Sequence, residues 1–208
     1  MIYEGKKIKN VLFDLGDVII DISIPGTITK FAERSGLSTQ EIREIYYHSD
    51  VFLNYEKGLI SDDEFFAGIN QIFSTDMSFD EFKSIWNGML IKIPQERLLL
   101  LDKVSKSYRT FLLSNTNNLH LLRFTEMMHE ISPERSLESY FERAYYSHQM
   151  SMRKPDAEIF EFILKQNNLR PEETIFLDDN ADNIYGAAQV GIVAVLVKNP
   201  NQLFEIFK

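Results

Sequence analysis

The chain has 208 residues, 44% of them hydrophobic, with no cysteine and a formal net charge of −9. Length and composition fit a globular protein with one large domain, or one core carrying a sizeable insert, and the lack of cysteine excludes a disulfide framework and a thiolate metal site. The acidic balance, without a stripe of Lys or Arg, argues against a nucleic-acid partner; the opening MIYEGKKIKN holds no secretory apolar segment, so a cytoplasmic protein without a membrane partner is expected.

The first predicted strand is the apolar run Val11 to Phe13, which ends abruptly in Asp14 and is followed by Leu15, Gly16, Asp17 and a second apolar run. A run without alternation reads as a strand covered on both faces, as in a parallel sheet between helices. From about Ile24 to Ile91 nothing strand-like occurs. Three capping-box signatures, Ser38-x-x-Glu41, Ser61-x-x-Glu64 and Ser78-x-x-Glu81, each precede apolar residues at helical spacing. Gly36 and Gly58 stand where helix stops are expected. From Pro94 the texture alternates: a helix over Leu98 to Val104, a strand over Tyr108 to Leu113, a helix from about Asn118 to His129 and a short strand from Arg143 to Tyr146. Pro155 opens the next helix; then come a strand over Thr174 to Leu177, a helix over Asn180 to Val190 and a last strand over Ile192 to Val197. This order predicts an α/β fold with a parallel sheet and right-handed crossovers. Residues 1–22 and 93–208 would form the core, and residues 23–92 a helical insert after the first strand.

Three of these strands end in polar residues: Asp14, the pair Ser114-Asn115 and the pair Asp178-Asp179. One such end is an ordinary turn. Three would meet at the carboxyl edge of the sheet, where open α/β sheets bind their ligands. Carboxylates from two strands would repel there unless a cation joined them, and hard oxygen ligands without Cys or paired His point to Mg²⁺. Ser114 and Asn115 offer hydroxyl, amide and backbone N–H donors near a helix start, a cradle suited to phosphate. Lys154, in the loop Ser151-Met152-Arg153-Lys154-Pro155, supplies a mobile positive charge. A nucleophilic carboxylate, Mg²⁺, hydrogen-bond donors and a lysine make a phosphoryl-transfer site working through an aspartyl phosphate. His48, His120, His129 and His148 show no metal spacing and read as structural; Tyr46, Tyr47 and Tyr55 read as packing in the insert.

The segments FDLGDVI, LLSNTN, MRKPDAEIF and FLDDNADNIYGAAQVGI, in that order, resemble the four motifs of the haloacid dehalogenase-like (HAD) hydrolases, and the helical insert is similar to their C1 cap. The resemblance implies a Rossmann-like core and a Mg²⁺-dependent phosphatase for a small phosphorylated metabolite. Carried over by position, Asp14 would be the nucleophile, and the backbone carbonyl of Gly16 would complete a Mg²⁺ shell with Asp14 and Asp179. Ser114, Asn115 and Lys154 would hold the phosphoryl group, with Lys154 also balancing charge on the nucleophile. Asp178 and Asn183 would orient waters around the metal or steady the lysine. More narrowly, SNTNxLH, MRKP and FxDDNADNIxGAxxxGI are similar to bacterial α-D-glucose-1-phosphate phosphatases and their sugar-phosphatase relatives, which implies a sugar phosphate such as glucose 1-phosphate.

One position departs from the commonest pattern of the family. The acid/base Asp usually found two residues after the nucleophile is replaced by Gly16, and Asp17, one residue further on, would point elsewhere in an extended segment. Two other readings compete. A metal-independent 2-haloacid dehalogenase also lacks that acid, but it would gain nothing from the adjacent Asp178 and Asp179. A non-catalytic binding or regulatory protein rests on Gly16 alone, against an intact Asp14, Lys154 and Asp179.

Overall fold

Apolar strands that leave no face for water need cover on both sides, and the computed structural model, which describes residues 1–208, provides it. A short hairpin of β1 (Ile2–Tyr3) and β2 (Lys6–Lys7) leads into β3 (Asn10–Phe13). After β4 (Asp21–Ile22) come five helices: α1 (Ile24–Ser35), α2 (Thr39–His48), α3 (Asp50–Glu56), α4 (Asp62–Phe73) and α5 (Phe79–Asn87). The chain then runs through β5 (Leu90–Lys92), α6 (Gln95–Ser105), β6 (Arg109–Ser114), α7 (Asn118–Ile131), β7 (Arg143–Tyr146) and α8 (Ser147–Met150). It ends with α9 (Ala157–Gln166), β8 (Thr174–Asp178), α10 (Ala181–Gln189), β9 (Val193–Leu196) and α11 (Gln202–Ile206).

The five-stranded sheet has the order β7-β6-β3-β8-β9, all neighbours parallel, with β3 at its centre. Alternate residues of β3 enter different cores. Val11 and Phe13 belong to one cluster with Leu112, Ile175 and Leu177, whereas Leu12 joins Phe111, Leu113 and Phe176 in another. The two clusters are the two covered faces, and each fully buried side chain contributes about 1.5–3 kcal/mol relative to exposure. No helix is long and apolar enough to cross a membrane.

Helices α1 to α5 gather round a separate apolar cluster that includes Ile28, Phe31, Phe65, Phe82 and Trp86. The chain enters them after β4 and returns through β5, and these two strands pair antiparallel. An ion pair ties this crossing to the core, Asp21 Oδ1 lying 2.6 Å from Arg97 Nη2 of α6. Tyr55 is indeed packed, stacked on Phe65 at 3.9 Å, but Tyr47 is exposed.

Several local expectations need correction. The strand Leu90–Lys92 overlaps the end of the stretch read as free of strands; three residues carry too little pattern to stand out. Full capping boxes form at Ser38 and Ser61. Ser78 caps α5 through Glu81 N–H, yet the Glu81 carboxylate is drawn to Arg34 Nε at 2.7 Å and does not return to the cap. Pro155 does not open α9: that helix starts at Ala157, with Asp156 in the capping position.

Candidate active site

The parallel register sets Phe13 opposite Leu112 of β6 and Leu177 of β8. The residues that follow these three therefore reach the same edge, and Asp14, Ser114, Asn115 and Asp179 line one cavity of about 570 Å³ between the sheet edge and helices α2, α3 and α5. Lys154 and Asn183 line it too. Asp178, fully buried, lies behind them.

Lys154 is 1% exposed and has all three N–H donors engaged. Its ammonium donates to Asp14 Oδ1, to Asp178 Oδ2 at 2.7 Å and to the Leu113 carbonyl at 3.0 Å. Asp178 is saturated in turn. It accepts from Lys154, from Asn180 N–H at 2.8 Å and, on both oxygens, from Asn183 Nδ2 at 3.1 Å. A buried ion pair holds only when its remaining polar atoms are satisfied in this way. Asp178 and Asn183 thus brace the lysine, which must release one of its bonds before it can reach a phosphoryl oxygen.

The loop carrying Lys154 is fixed from two sides. Asn115 Nδ2 donates to the Lys154 carbonyl and Asn115 Oδ1 accepts from the Lys154 N–H, both at 2.9 Å. The side-chain amide expected to hold phosphate is therefore occupied with the lysine loop, and what Asn115 leaves free is its backbone N–H. The N–H groups of Leu15 and Gly16 also lack acceptors within the chain, as does the Gly16 carbonyl a donor. The free N–H groups and the Ser114 hydroxyl are donors near Asp14 available to an anion, and the Gly16 carbonyl is an acceptor available to a cation.

Asp14, Asp178 and Asp179 each offer an oxygen within 4.8 Å of the others. Burial raises the Asp14 pKa to about 7; Lys154 opposes the shift, and Asp178 and Asp179 add to it. Asp179, the most open of the three, is also raised to about 6, by desolvation in the cleft and then by Asp178 and Asp17. Burial alone would depress Lys154, but Asp14 and Asp178 more than offset it and raise its pKa. One ammonium thus faces three carboxylates, two of which hold protons more tightly than usual. An all-oxygen site with surplus negative charge fits a hard divalent cation such as Mg²⁺.

Asp17 stands apart. Its backbone is left-handed, with φ of 50°, and its Oδ1 accepts from Ile22 N–H at 3.1 Å, so the carboxylate closes the turn after β3. Two features of the cavity escape sequence reasoning. His120 does not read as a site residue from its spacing, yet it is buried in the cavity wall, stacked on Trp86 at 4.7 Å. Glu56 and Arg153 form an ion pair in the same wall. Arg153 could be suspected from its place beside Lys154; Glu56 has no such signal.

Comparison with known proteins identifies the family and the fold. The profile of the haloacid dehalogenase-like hydrolases matches residues 11–197. The chain is similar to D-ribitol-5-phosphate phosphatase of Bacteroides thetaiotaomicron, 33% identical over 190 residues that cover 88% of this chain and 89% of that one. Its fold is similar to the crystal structure of a HAD-family enzyme from Bacteroides thetaiotaomicron, with a TM-score of 0.88, 33% identity and coverage of 98% of this chain and 100% of that one. A further structure from that organism, a HAD-family enzyme in complex with magnesium and inorganic phosphate, matches with a TM-score of 0.78 and 35% identity over 91% of this chain and 93% of its own. A parallel sheet that presents Asp14, Ser114 and Asp179 at one edge, matched along almost its whole length by this profile, makes the chain a member of the haloacid dehalogenase-like hydrolase family.

Proposed function

We propose that this member of the family is a Mg²⁺-dependent phosphatase that hydrolyses a small phosphorylated sugar or sugar alcohol through an aspartyl-phosphate intermediate. The observation that carries this reading is the position of Asp14, bound to Lys154 and flanked by the unpaired N–H groups of Leu15, Gly16 and Asn115. The relative named for D-ribitol 5-phosphate and the magnesium and phosphate complex of a similar enzyme support it.

Asp14, Asp179 and the carbonyl of Gly16 would hold the cation. When bound, Mg²⁺ supplies positive charge that screens the carboxylates and polarises a phosphoryl oxygen. Asp14 attacks phosphorus through a carboxylate oxygen, the P–O bond to the leaving group breaks, and the alkoxide departs with its electron pair. Ser114 and the free backbone N–H groups hold the equatorial oxygens, where charge accumulates. Lys154 keeps Asp14 oriented and offsets its charge. Water then attacks the acyl phosphate, releasing inorganic phosphate and restoring the Asp14 carboxylate. Residues 1–22 and 93–208 would carry this chemistry, while residues 23–92 act as a cap that closes over the leaving group. The clustered carboxylates count against a metal-free dehalogenase.

The leaving group is narrowed by Gly16. With no acid there, substrates whose leaving oxygen is readily released gain, which favours an anomeric phosphate such as glucose 1-phosphate; the similarity to a ribitol-5-phosphate phosphatase favours a primary ester instead. Phosphate release from both compounds, with Mg²⁺ and with EDTA, tests the reading. Activity is expected only with the metal and is expected to vanish in Asp14→Asn, since an amide cannot act as the nucleophile. Turnover by that variant, or undiminished turnover in chelator, would overturn it.

A further inference from the structure

In the lining of the same cavity, an ion pair joins the helical insert to the core: Glu56, the last residue of α3, and Arg153, the neighbour of Lys154. Arg153 Nε donates to Glu56 Oε2 at 3.1 Å, and Nη2 lies 3.0 Å from the same oxygen. Because both contacts fall on Oε2, Glu56 Oε1 has no protein donor and Arg153 Nη1 has no protein acceptor. Each side chain keeps 26% of its exposure, so these unused atoms are open to a ligand. Partial burial in the cleft raises the Glu56 pKa against the opposing charge of Arg153.

The end of α3 is fixed in place as well. Ser147 Oγ donates to the Glu56 carbonyl at 2.6 Å. At Gly58, a Cβ would lie 2.0 Å from the His148 carbonyl oxygen, so the backbones touch. Glu56 and Arg153 are thus held at a set position in the cavity lining, which also includes apolar Phe52, Trp86 and Met89.

We propose that Glu56 and Arg153 together select the leaving group: they bind its hydroxyl groups and reject leaving groups that carry a second anion. This rests on the phosphatase reading above. A carboxylate oxygen accepts from one hydroxyl while a guanidinium N–H donates to the next, so neighbouring free acceptor and donor match a vicinal diol. As a pair they are neutral, and Glu56 cancels the attraction Arg153 would otherwise exert on a distal carboxylate. The apolar wall suits the C–H side of such a chain.

The test compares purified full-length enzyme with Mg²⁺ on three kinds of phosphate ester. These are D-ribitol 5-phosphate or D-glucose 1-phosphate, whichever is turned over better; 3-phosphoglycerate, with its distal carboxylate; and p-nitrophenyl phosphate, which has no hydroxyl. In Glu56→Ala, kcat/KM for the polyol ester is expected to fall roughly 10–100-fold, mainly through KM, with p-nitrophenyl phosphate changing less than about threefold. Glu56→Gln keeps the volume but uncovers the Arg153 charge, and should raise the preference for 3-phosphoglycerate over the polyol ester about tenfold. Equal losses on all three esters would reduce the pair to a strut between insert and core, and unchanged ratios would make it a bystander; either overturns the inference. So would a wild type that hydrolyses p-nitrophenyl phosphate but neither polyol ester. A folded wild type inactive on every ester sinks the phosphatase reading itself, and this one with it.

Discussion

Asn115 and Lys154 are joined by a reciprocal pair of hydrogen bonds, side-chain amide to backbone amide, each 2.9 Å long. The pairing places the lysine loop at a fixed height over the sheet edge, so that the ammonium meets Asp14 and Asp178. Asn115→Ala loses both bonds, and Asn115→Asp turns an acceptor toward the Lys154 carbonyl. Both variants should lower kcat by more than tenfold, with the Asp variant the worse, and destabilise by about 1–3 kcal/mol. Steady-state kinetics beside thermal melting checks this, and a loss confined to KM would speak against it.

Gly186 on α10 approaches the same loop from the other side. A Cβ there would lie 2.2 Å from the Pro155 carbonyl oxygen, a backbone atom that cannot rotate away. Gly186→Ala should cost about 1–3 kcal/mol through overpacking and displace Lys154, lowering activity together with the melting temperature. A variant as stable and active as wild type would show that the loop tolerates movement.

The strand ends are legible in the sequence because burial writes them locally: Val11 to Phe13 is apolar without interruption, and Asp14 breaks the run. The same holds for Asp178, which follows Ile175, Phe176 and Leu177. The partners of those residues are not local. Glu56 and Arg153 stand 97 residues apart, and no period in the sequence relates them. Asn115 reads as a phosphate ligand because its amide stands at a strand end near a helix start; only the fold reveals that this amide is already bound. Asp17 reads from the sequence as an acid pointing away from the nucleophile, and what the sequence leaves out is its left-handed backbone and its bond to Ile22 N–H.

Acid titration of the site should compete with the metal. Folded-state pKa values of about 7 for Asp14 and about 6 for Asp179 mean that, without metal, these two carboxyls bind more protons folded than unfolded between about pH 4 and 7. Their contribution to stability is present at low pH and is lost as pH rises through 6 to 7. Mg²⁺ replaces those protons, so the rise in melting temperature on adding Mg²⁺ should be larger at pH 8 than at pH 5, and EDTA should abolish it. An equal rise at both values would remove these carboxylates from the metal site.

His120 carries the opposite dependence. Its Nε2–H donates to the Trp86 carbonyl at 3.1 Å and its Nδ1 accepts from Asn117 Nδ2 at 3.2 Å, a network that requires the neutral ring. Burial lowers its pKa to about 4. Between pH 6.5 and 4 the unfolded chain binds the extra proton, so stability falls on acidification, by about 2 kcal/mol at pH 5. Trp86 is the only tryptophan, so its fluorescence reports the stacked pair directly. His120→Gln should flatten the acid limb of stability; an unchanged limb would place its origin elsewhere.

Gly16 offers the sharpest test of how the leaving group acquires its proton. The nearest atom that a Cβ at this position would meet is Ile22 Cδ1, at 2.9 Å, the tip of a side chain that can rotate. Gly16→Asp, alone or with Ile22→Val to make room, would place a carboxyl two residues after Asp14. A positioned general acid is worth about 10²–10⁴-fold, and an imperfectly placed one should still raise kcat on alkyl phosphates by roughly tenfold. p-Nitrophenyl phosphate should gain little, because its leaving group departs as a stable anion. Asp17→Asn should alter turnover only a few-fold on every ester, because the Asp17 carboxylate is bound to Ile22 N–H. If Gly16→Asp changes aryl and alkyl esters alike while the fold is intact, protonation of the leaving oxygen does not limit the wild type. A large loss in Asp17→Asn would instead require that its turn opens when substrate binds.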